Sequence, residues 1–215
     1  GGSFLEDESP WRLVRQLQAN EYTRYRRRLS RRRGRALVLT GTGTLFRVGV
    51  LMEVREGRRN GTLPDLGKTM GVYDTSALTE DNELTLCIKQ LGYRVISPKE
   101  CTVKTAMMPS WGALYKQRRR WQRGALENLI AHGFDRHTFP YGLRQLFTYL
   151  GVLMLPLYLF TLSISLAQNE RPTFLEPIWL LVGVIYVAEQ TFSVRGGGWK
   201  AVLVSLAVLP ELFLN

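Results

Sequence analysis

Apolar residues along this chain follow two regimes. Through residue 142 they recur every three or four positions among charged groups, the period of helices that bury one face; beyond it they run together. The first segment, 10–33, reads as a helix opening at Ser9-Pro10, since proline suits a first turn and Trp11, Val14, Leu17 and Gln18 recur at helical spacing. Residues 36–40, Ala-Leu-Val-Leu-Thr, read as a short buried strand, and Gly41-Thr42-Gly43 turns the chain before Leu45-Phe46-Arg47. Residues 60–69, with Asn60-Gly61 and Pro64, read as a loop. A helix follows over 80–91, with Leu84, Ile88 and Leu91 on one face and Gly92 as its stop. Tyr93 to Ile96 is a strand candidate that ends at Pro98. A longer amphipathic helix over 110–131 is expected to set Trp111, Leu114, Tyr115, Trp121, Ala125, Leu129 and Ile130 near one stripe, opposite an arginine-rich face, to lie along a membrane interface or over a polar cleft, and to stop at Gly133.

Three apolar stretches close the chain, at 146–167, 174–192 and 201–215. The first two have the roughly 20 residues that a helix needs to cross a bilayer, and the third meets the chain end. A buried helical hairpin in a soluble domain is the alternative; a membrane is favoured because 146–167 holds no charged residue. Arg136 and Arg144 precede the first span, and Arg195 and Lys200 follow the second. Only Arg171 marks the loop between them, so residues 1–142 are expected on the cytoplasmic side of the plasma membrane. Glu189 is expected at an interface and Glu211 is left unassigned. The first eight residues do not form a secretory signal peptide. The chain therefore divides into 1–109, an interfacial helix region over 110–142, and a membrane region over 143–215.

Charge sharpens this division. The formal net charge is +11, and residues 143–215 carry four basic and four acidic side chains, so the whole excess lies before them. Such a basic part suits nucleic acid, an acidic lipid surface or a diphosphate-bearing substrate. The run from Tyr25 to Arg33 lacks the interleaved aromatics of a stacking surface, so it reads as solvated or lipid-facing and no nucleic acid is expected. Cys87 and Cys101 have no Cys or His at ligand spacing, which predicts a reducing setting, no disulfide and no metal site. His132 and His137 read as ordinary interfacial residues.

Three segments hold candidate chemistry. In Thr79-Glu80-Asp81, Thr79 reads as an N-cap with two acids against the helix dipole, or one carboxylate faces a cleft and takes a proton from an attacking hydroxyl. In Gln117-Arg118-Arg119-Arg120-Trp121, an amide, a guanidinium and an indole share one helix side. They suit a diphosphate and a sugar ring, or simply a basic membrane-surface helix with a buried Trp. The Gly41 to Arg47 segment allows close backbone approach to a ligand but lacks the further glycine or lysine of a nucleotide-binding loop.

In this order, with a membrane region after them, the segments resemble the processive family 2 glycosyltransferases, the cellulose, chitin, hyaluronan and poly-N-acetylglucosamine synthases. The resemblance covers roughly residues 18–215. It implies an α/β fold, the C-terminal portion of a GT-A-type, Rossmann-like domain, followed by interfacial and transmembrane helices. It further implies an inverting transfer of a hexose from a nucleoside-diphosphate sugar to a growing polysaccharide. Asp81 would be the general base, supported by Glu80. Gln117 and Arg120 would hold the donor diphosphate, Trp121 would sit at the acceptor end, and Gly41, Thr42 and Gly43 would border the acceptor. Family members carry, before these elements, a nucleotide-binding half with an Asp-x-Asp for a divalent cation, Mg or Mn. Glu6-Asp7-Glu8 is no substitute, since no apolar strand leads into it. The chain accordingly reads as a fragment, or one piece of a split enzyme with a separate N-terminal half as partner. A single-sugar transferase using a lipid-linked acceptor and a non-catalytic membrane-anchored module are the competing readings.

Overall fold

A computed structural model describes residues 3–6, 12–98, 100–168 and 177–206. The chain divides into two compact units, residues 1–142 and 143–215.

The first unit is organised around one short helix. The helices α1 (Leu13–Arg31), α2 (Val48–Arg59), α3 (Glu80–Gln90) and α4 (Trp111–His132) alternate with long connections, and α5 (Phe139–Ala167) begins at the unit's end. Seven consecutive residues of α3, Asn82 to Ile88, are buried, because the helix is packed on two sides. Leu84, Cys87 and Ile88 join Leu29, Ala36, Leu39, Val54, Leu63 and Val95 in one core cluster. Leu86 faces the other way, into a second cluster with Ala125, Leu129 and Tyr141. The period of α3 in the sequence accounts for the first face, whereas the second face is visible only once α4 lies against it.

α1 covers most of the helix expected over 10–33 but begins at Leu13, after an extended Arg12, and ends at Arg31; Ser9, Pro10 and Trp11 lie outside the described residues. It buries three amides beside its apolar face, and Gln18 uses its own as a clamp on a distant segment. Gln18 Nε2 donates to the Met108 carbonyl at 3.1 Å and Gln18 Oε1 accepts from the Met108 N–H at 3.0 Å. This pairing copies the two bonds of a strand ladder and seats the approach to α4. Ser110 then caps α4 by accepting from the Ala113 N–H.

The strand expected at 36–40 does not form. Apart from the Ala36 N–H, which donates to the Val95 carbonyl at 3.3 Å, side chains take its backbone groups: the Leu39 N–H donates to Thr85 Oγ1, Lys89 Nζ donates to the Leu37 carbonyl, and Tyr25 donates to the Val38 carbonyl. Burial at this position lowers the Lys89 amine to about 8. The expected strand at 93–96 is likewise reduced to one antiparallel bridge between Arg35 and Ile96. The sheet found among the described residues has two parallel strands, β1 (Ser3–Glu6) and β2 (Thr102–Thr105), in segments where none was expected. The described residues are thus mostly helical, and the Rossmann-like layering of the α/β expectation is not among them. Helix α2 also was not foreseen; it buries Val54, Gly57 and Arg58, packs Val50 and Leu51 against the same core, and leaves Val48 and Met52 exposed. Of the stripe expected on α4, Leu114, Ala125 and Leu129 are buried, but Trp111, Tyr115 and Ile130 are exposed.

In the second unit, the body of α5 continues an unbroken helix of 29 residues that is long and apolar enough to cross a membrane. α6 (Pro177–Val194) leads through a 3-10 turn at Arg195–Gly197 into α7 (Trp199–Leu206). Val194, Ala201, Val204 and Ser205 are buried where α6 and α7 pack. Arg171, Glu211, and the expected span residues 174–176 and 207–215 lie outside the described residues.

Candidate functional site

The N-terminus of α3 carries the candidate carboxylates. Thr79 occupies the cap position without donating or accepting a capping bond, so the simple capping role is not what its side chain does. Instead Thr79 is buried against α4, where Asn128 Nδ2 donates to both its carbonyl and its hydroxyl at 3.1 Å. Asn82 Nδ2 donates to the Tyr141 hydroxyl at 2.5 Å. The residues on either side of Glu80-Asp81 are therefore tied to other elements.

Asp81 is itself oriented by backbone. Its Oδ2 accepts from the Gly41 N–H at 2.9 Å and its Oδ1 accepts from the Asn82 N–H at 2.8 Å. A Cβ on Gly41 would lie 3.5 Å from Asp81 Oδ2, ordinary contact, so glycine leaves room beside the carboxylate without being strictly required by space. Together these residues line a pocket of about 270 Å³ with Leu39, Thr40, Phe46, Tyr73, Glu80 and Leu84. The two carboxylates, a backbone turn and two aromatic rings thus share one concave site. Thr42 and Gly43 are exposed on the same turn but do not line it. Gly43 has φ +68° and a Cβ there would approach Val103 Cγ2 to 2.5 Å, so this glycine is needed for the close approach of the turn to β2.

Tyr73 was not singled out by the sequence, because it lies in a loop with no period. Two aspartates shape that loop. Asp74 accepts from the Leu66, Gly67 and Ser76 N–H groups and the Ser76 hydroxyl, and Asp65 accepts from the Thr69 and Met70 N–H groups. Burial by itself would raise the Asp74 carboxyl, but these hydrogen bonds outweigh it and hold the group below the usual carboxylate range.

Gln117, Arg120 and Trp121 lie on α4 and do not line this pocket. They do share a helix stripe with Gly124 and Asn128, since positions 117, 120, 121, 124 and 128 fall on one side of a helix. Gly124 is where α4 meets the turn before Asp81: a Cβ there would lie 2.5 Å from Thr79 Oγ1 and 2.8 Å from Thr79 Cγ2. Arg120 is one turn earlier, about 6 Å along the helix axis. Gln117 Oε1 is buried with no protein partner among the described residues, Arg120 is exposed and Trp121 is half-buried. The intervening Arg118 is the structural member of the motif. It pairs with Glu21 of α1 through both nitrogens, one bond being 3.0 Å, and its guanidinium lies 4.7 Å from the centre of the Trp121 ring.

Gly124→Ala is expected to destabilise the first unit by about 1–3 kcal/mol, as added methyls do in a filled contact, and to lower activity with it. Gly112→Ala, where a Cβ meets open space, should be nearly neutral. Denaturant unfolding of the two variants side by side checks this; equal effects would contradict the contact.

A second polar group, missed in the sequence, sits under α3. Arg58 donates to Glu83 Oε2 at 2.6 Å, and neither side chain is appreciably exposed. Glu83 Oε1 also meets His132 Nε2 and Cys87 Sγ, each at 3.1 Å. Burial would raise the Glu83 carboxyl, yet the bonds from His132 and Arg58 keep it below its ordinary value; burial pushes the Cys87 thiol strongly up. His132 is thus not an interfacial residue but a buried one, and it meets Glu83 49 positions away in sequence. The i, i+4 spacing of Glu83 and Cys87 was visible, but nothing local linked it to Arg58 or His132.

An acid pair at a helix N-terminus is thus held over a turn in a pocket walled by two aromatic side chains. The sequence profile described as Glycosyl transferase family group 2 matches residues 14–192, and the chain belongs to that family. It is a glycosyltransferase, and the family implies a nucleotide-sugar donor and an acceptor. No curated protein and no solved structure matches the chain.

The pocket does not fit the divalent cation that such a donor brings. Among the described residues Glu80 and Asp81 are the only carboxylates that line it, and the rest of the lining offers few of the oxygen ligands that such an ion takes.

Proposed function

We propose that the chain carries the acceptor-activating half of an inverting hexosyltransferase at the cytoplasmic face of the plasma membrane, extending a polysaccharide. The observation that carries this reading is the pocket that joins Asp81 to the Gly41 turn. Two backbone N–H groups hold the Asp81 carboxylate at a fixed angle, and the lone pairs they leave free accept the proton of an incoming acceptor hydroxyl. The hydroxyl oxygen then attacks the anomeric carbon, and the nucleoside diphosphate leaves from the opposite face. Tyr73 and Phe46 offer ring faces to the apolar side of a sugar, and the turn at Gly41, Thr42 and Gly43 borders the acceptor. On α4, Gln117 and Arg120 would receive the leaving diphosphate and Trp121 would stand at the acceptor end; the contact of Gly124, on the same helix stripe, with Thr79 supports this.

Membrane integration is supported by α5, whose exposed surface is almost wholly apolar, and by the cations that flank the apolar stretches. The arginine-rich first unit is suited to the anionic cytoplasmic leaflet. A single-sugar transferase acting on a lipid-linked acceptor uses the same groups, and product length separates the two: one sugar added per acceptor would exclude the polymerase.

The donor assignment has its own test. Removing a guanidinium from a charge-assisted phosphate contact costs about 1.5–3 kcal/mol, so Arg120→Ala should raise the donor KM about tenfold or more. Arg26→Ala, on α1, should leave it unchanged. Initial rates against donor concentration give both values, and equal effects would assign α4 a generic basic surface instead.

A further inference from the structure

The buried group under α3 lies outside the pocket and has no part in the transfer step. Glu83, Cys87 and His132 are buried at 3%, 0% and 8% exposure, and their ligand-type atoms lie within 4.8 Å of one another. The hydrogen-bond pattern around them assigns one proton. Gln90 Nε2 faces two acceptors, the His132 carbonyl at 3.1 Å and Asp135 Oδ2 at 3.2 Å. The Gln90 amide is thereby oriented so that its oxygen meets His132 Nδ1 at 2.6 Å, and Nδ1 must donate.

In a neutral imidazole the remaining lone pair is then on Nε2, which points at Glu83 Oε1, 3.1 Å away, and at Cys87 Sγ, 4.0 Å away. A lone pair set against a carboxylate oxygen is repulsive, so a positive centre belongs between them: a proton on Nε2 when the group is metal-free, which gives the His132–Glu83 bond, or a metal ion in its place. An imidazole nitrogen, a thiolate sulfur and a carboxylate oxygen converging on one point are the donor types that hold zinc. The surroundings also match. A metal-bound histidine normally donates its other N–H to a carbonyl, as His132 does to Gln90, and a ligating carboxylate is normally hydrogen-bonded, as Glu83 is to Arg58. Arg58 is no obstacle on charge. One divalent ion entering while the Nε2 and Sγ protons leave does not change the total charge of the group.

We propose that Glu83, Cys87 and His132 bind a divalent transition-metal ion of the zinc type, with a water in the fourth position. The ion ties the middle of α3 to the last turn of α4 and so braces the helix that presents Asp81. It is separate from any cation on the donor diphosphate.

Cobalt is the probe. The full chain, purified in detergent and stripped with a chelator, is titrated with Co²⁺. About one Co²⁺ per chain should bind with a near-ultraviolet thiolate-to-cobalt charge-transfer band that zinc displaces. Cys87→Ser should abolish the band and Cys101→Ser should retain it. Gln90→Leu, which removes the partner of Nδ1, should weaken cobalt binding about 10–100-fold. A wild-type chain with no such band, or a band that follows Cys101, overturns the site and leaves a proton-linked cluster only. The wild-type titration decides this even if Cys87→Ser does not fold.

Discussion

Asp81→Asn is expected to lower sugar transfer by about 10²–10⁴-fold, the range a positioned general base supplies, with donor binding retained. The geometry says what else the substitution does. Asp81 accepts one backbone N–H on each oxygen, from Gly41 and from Asn82. Asparagine has a single acceptor oxygen, so its NH₂ group must face one of those donors. That mismatch costs about 1–3 kcal/mol of stability, and it moves the Gly41 turn if the NH₂ is on that side. Donor binding by calorimetry and transfer by initial rate therefore need to be measured on the same folded preparation. Near-normal turnover in Asp81→Asn would remove this residue from the base role, and with it the proposed mechanism.

Glu83→Gln is expected to destabilise the first unit by about 3–5 kcal/mol, because it leaves the Arg58 guanidinium buried without its counter-charge. The side chains of Arg58 and Glu83 are 0% and 4% exposed, so water cannot take over. The exposed i, i+4 pair of Arg123 with Glu127 is the internal comparison: Glu127→Gln should cost about 0.5 kcal/mol or less. Denaturant unfolding of both variants reads the difference, and a loss below about 1 kcal/mol for Glu83→Gln would contradict the burial argument. The same pair predicts a pH dependence. Glu83 titrates below its ordinary value in the folded protein, so its contribution is complete above the unfolded value of about 4.3 and disappears as pH falls through the lower folded value. Acid unfolding of the wild type should therefore be steeper than that of Glu83→Gln.

The helices α1, α3 and α4 were legible because each carries a repeating apolar face, and the body of α5 because residues 146–167 are predominantly apolar with no charged side chain. The stretch at 36–40 misled for a definite reason. A run such as Ala-Leu-Val-Leu-Thr declares that it is buried, not which groups satisfy its backbone, and here side chains of α1 and α3 do so in place of a neighbouring strand. Helix α2 carries an ordinary face in Val50, Leu51 and Val54, but the exposed Val48 and Met52 among them and the buried Arg58 blur its period in the sequence. Arg58 is buried only because Glu83, 25 residues later, is there to meet it.

What the sequence determined by itself was local: periodic faces, the glycine turn at 41–43, an acid pair at a helix start, an amide, guanidinium and indole on one helix side, and an apolar C-terminal region. Each follows from residues within a few positions of one another. Which of these meet was decided by tertiary structure. Packing of α3 against the 39–46 segment put Asp81 over Gly41, and the fit of Gly124 against Thr79 set the helix stripe of Arg120 against the residue that precedes Glu80-Asp81. The Glu83, Cys87 and His132 group exists only where α3 and α4 touch. Such meetings depend on burial between segments 40 or more residues apart, and the pattern along a chain carries no record of that.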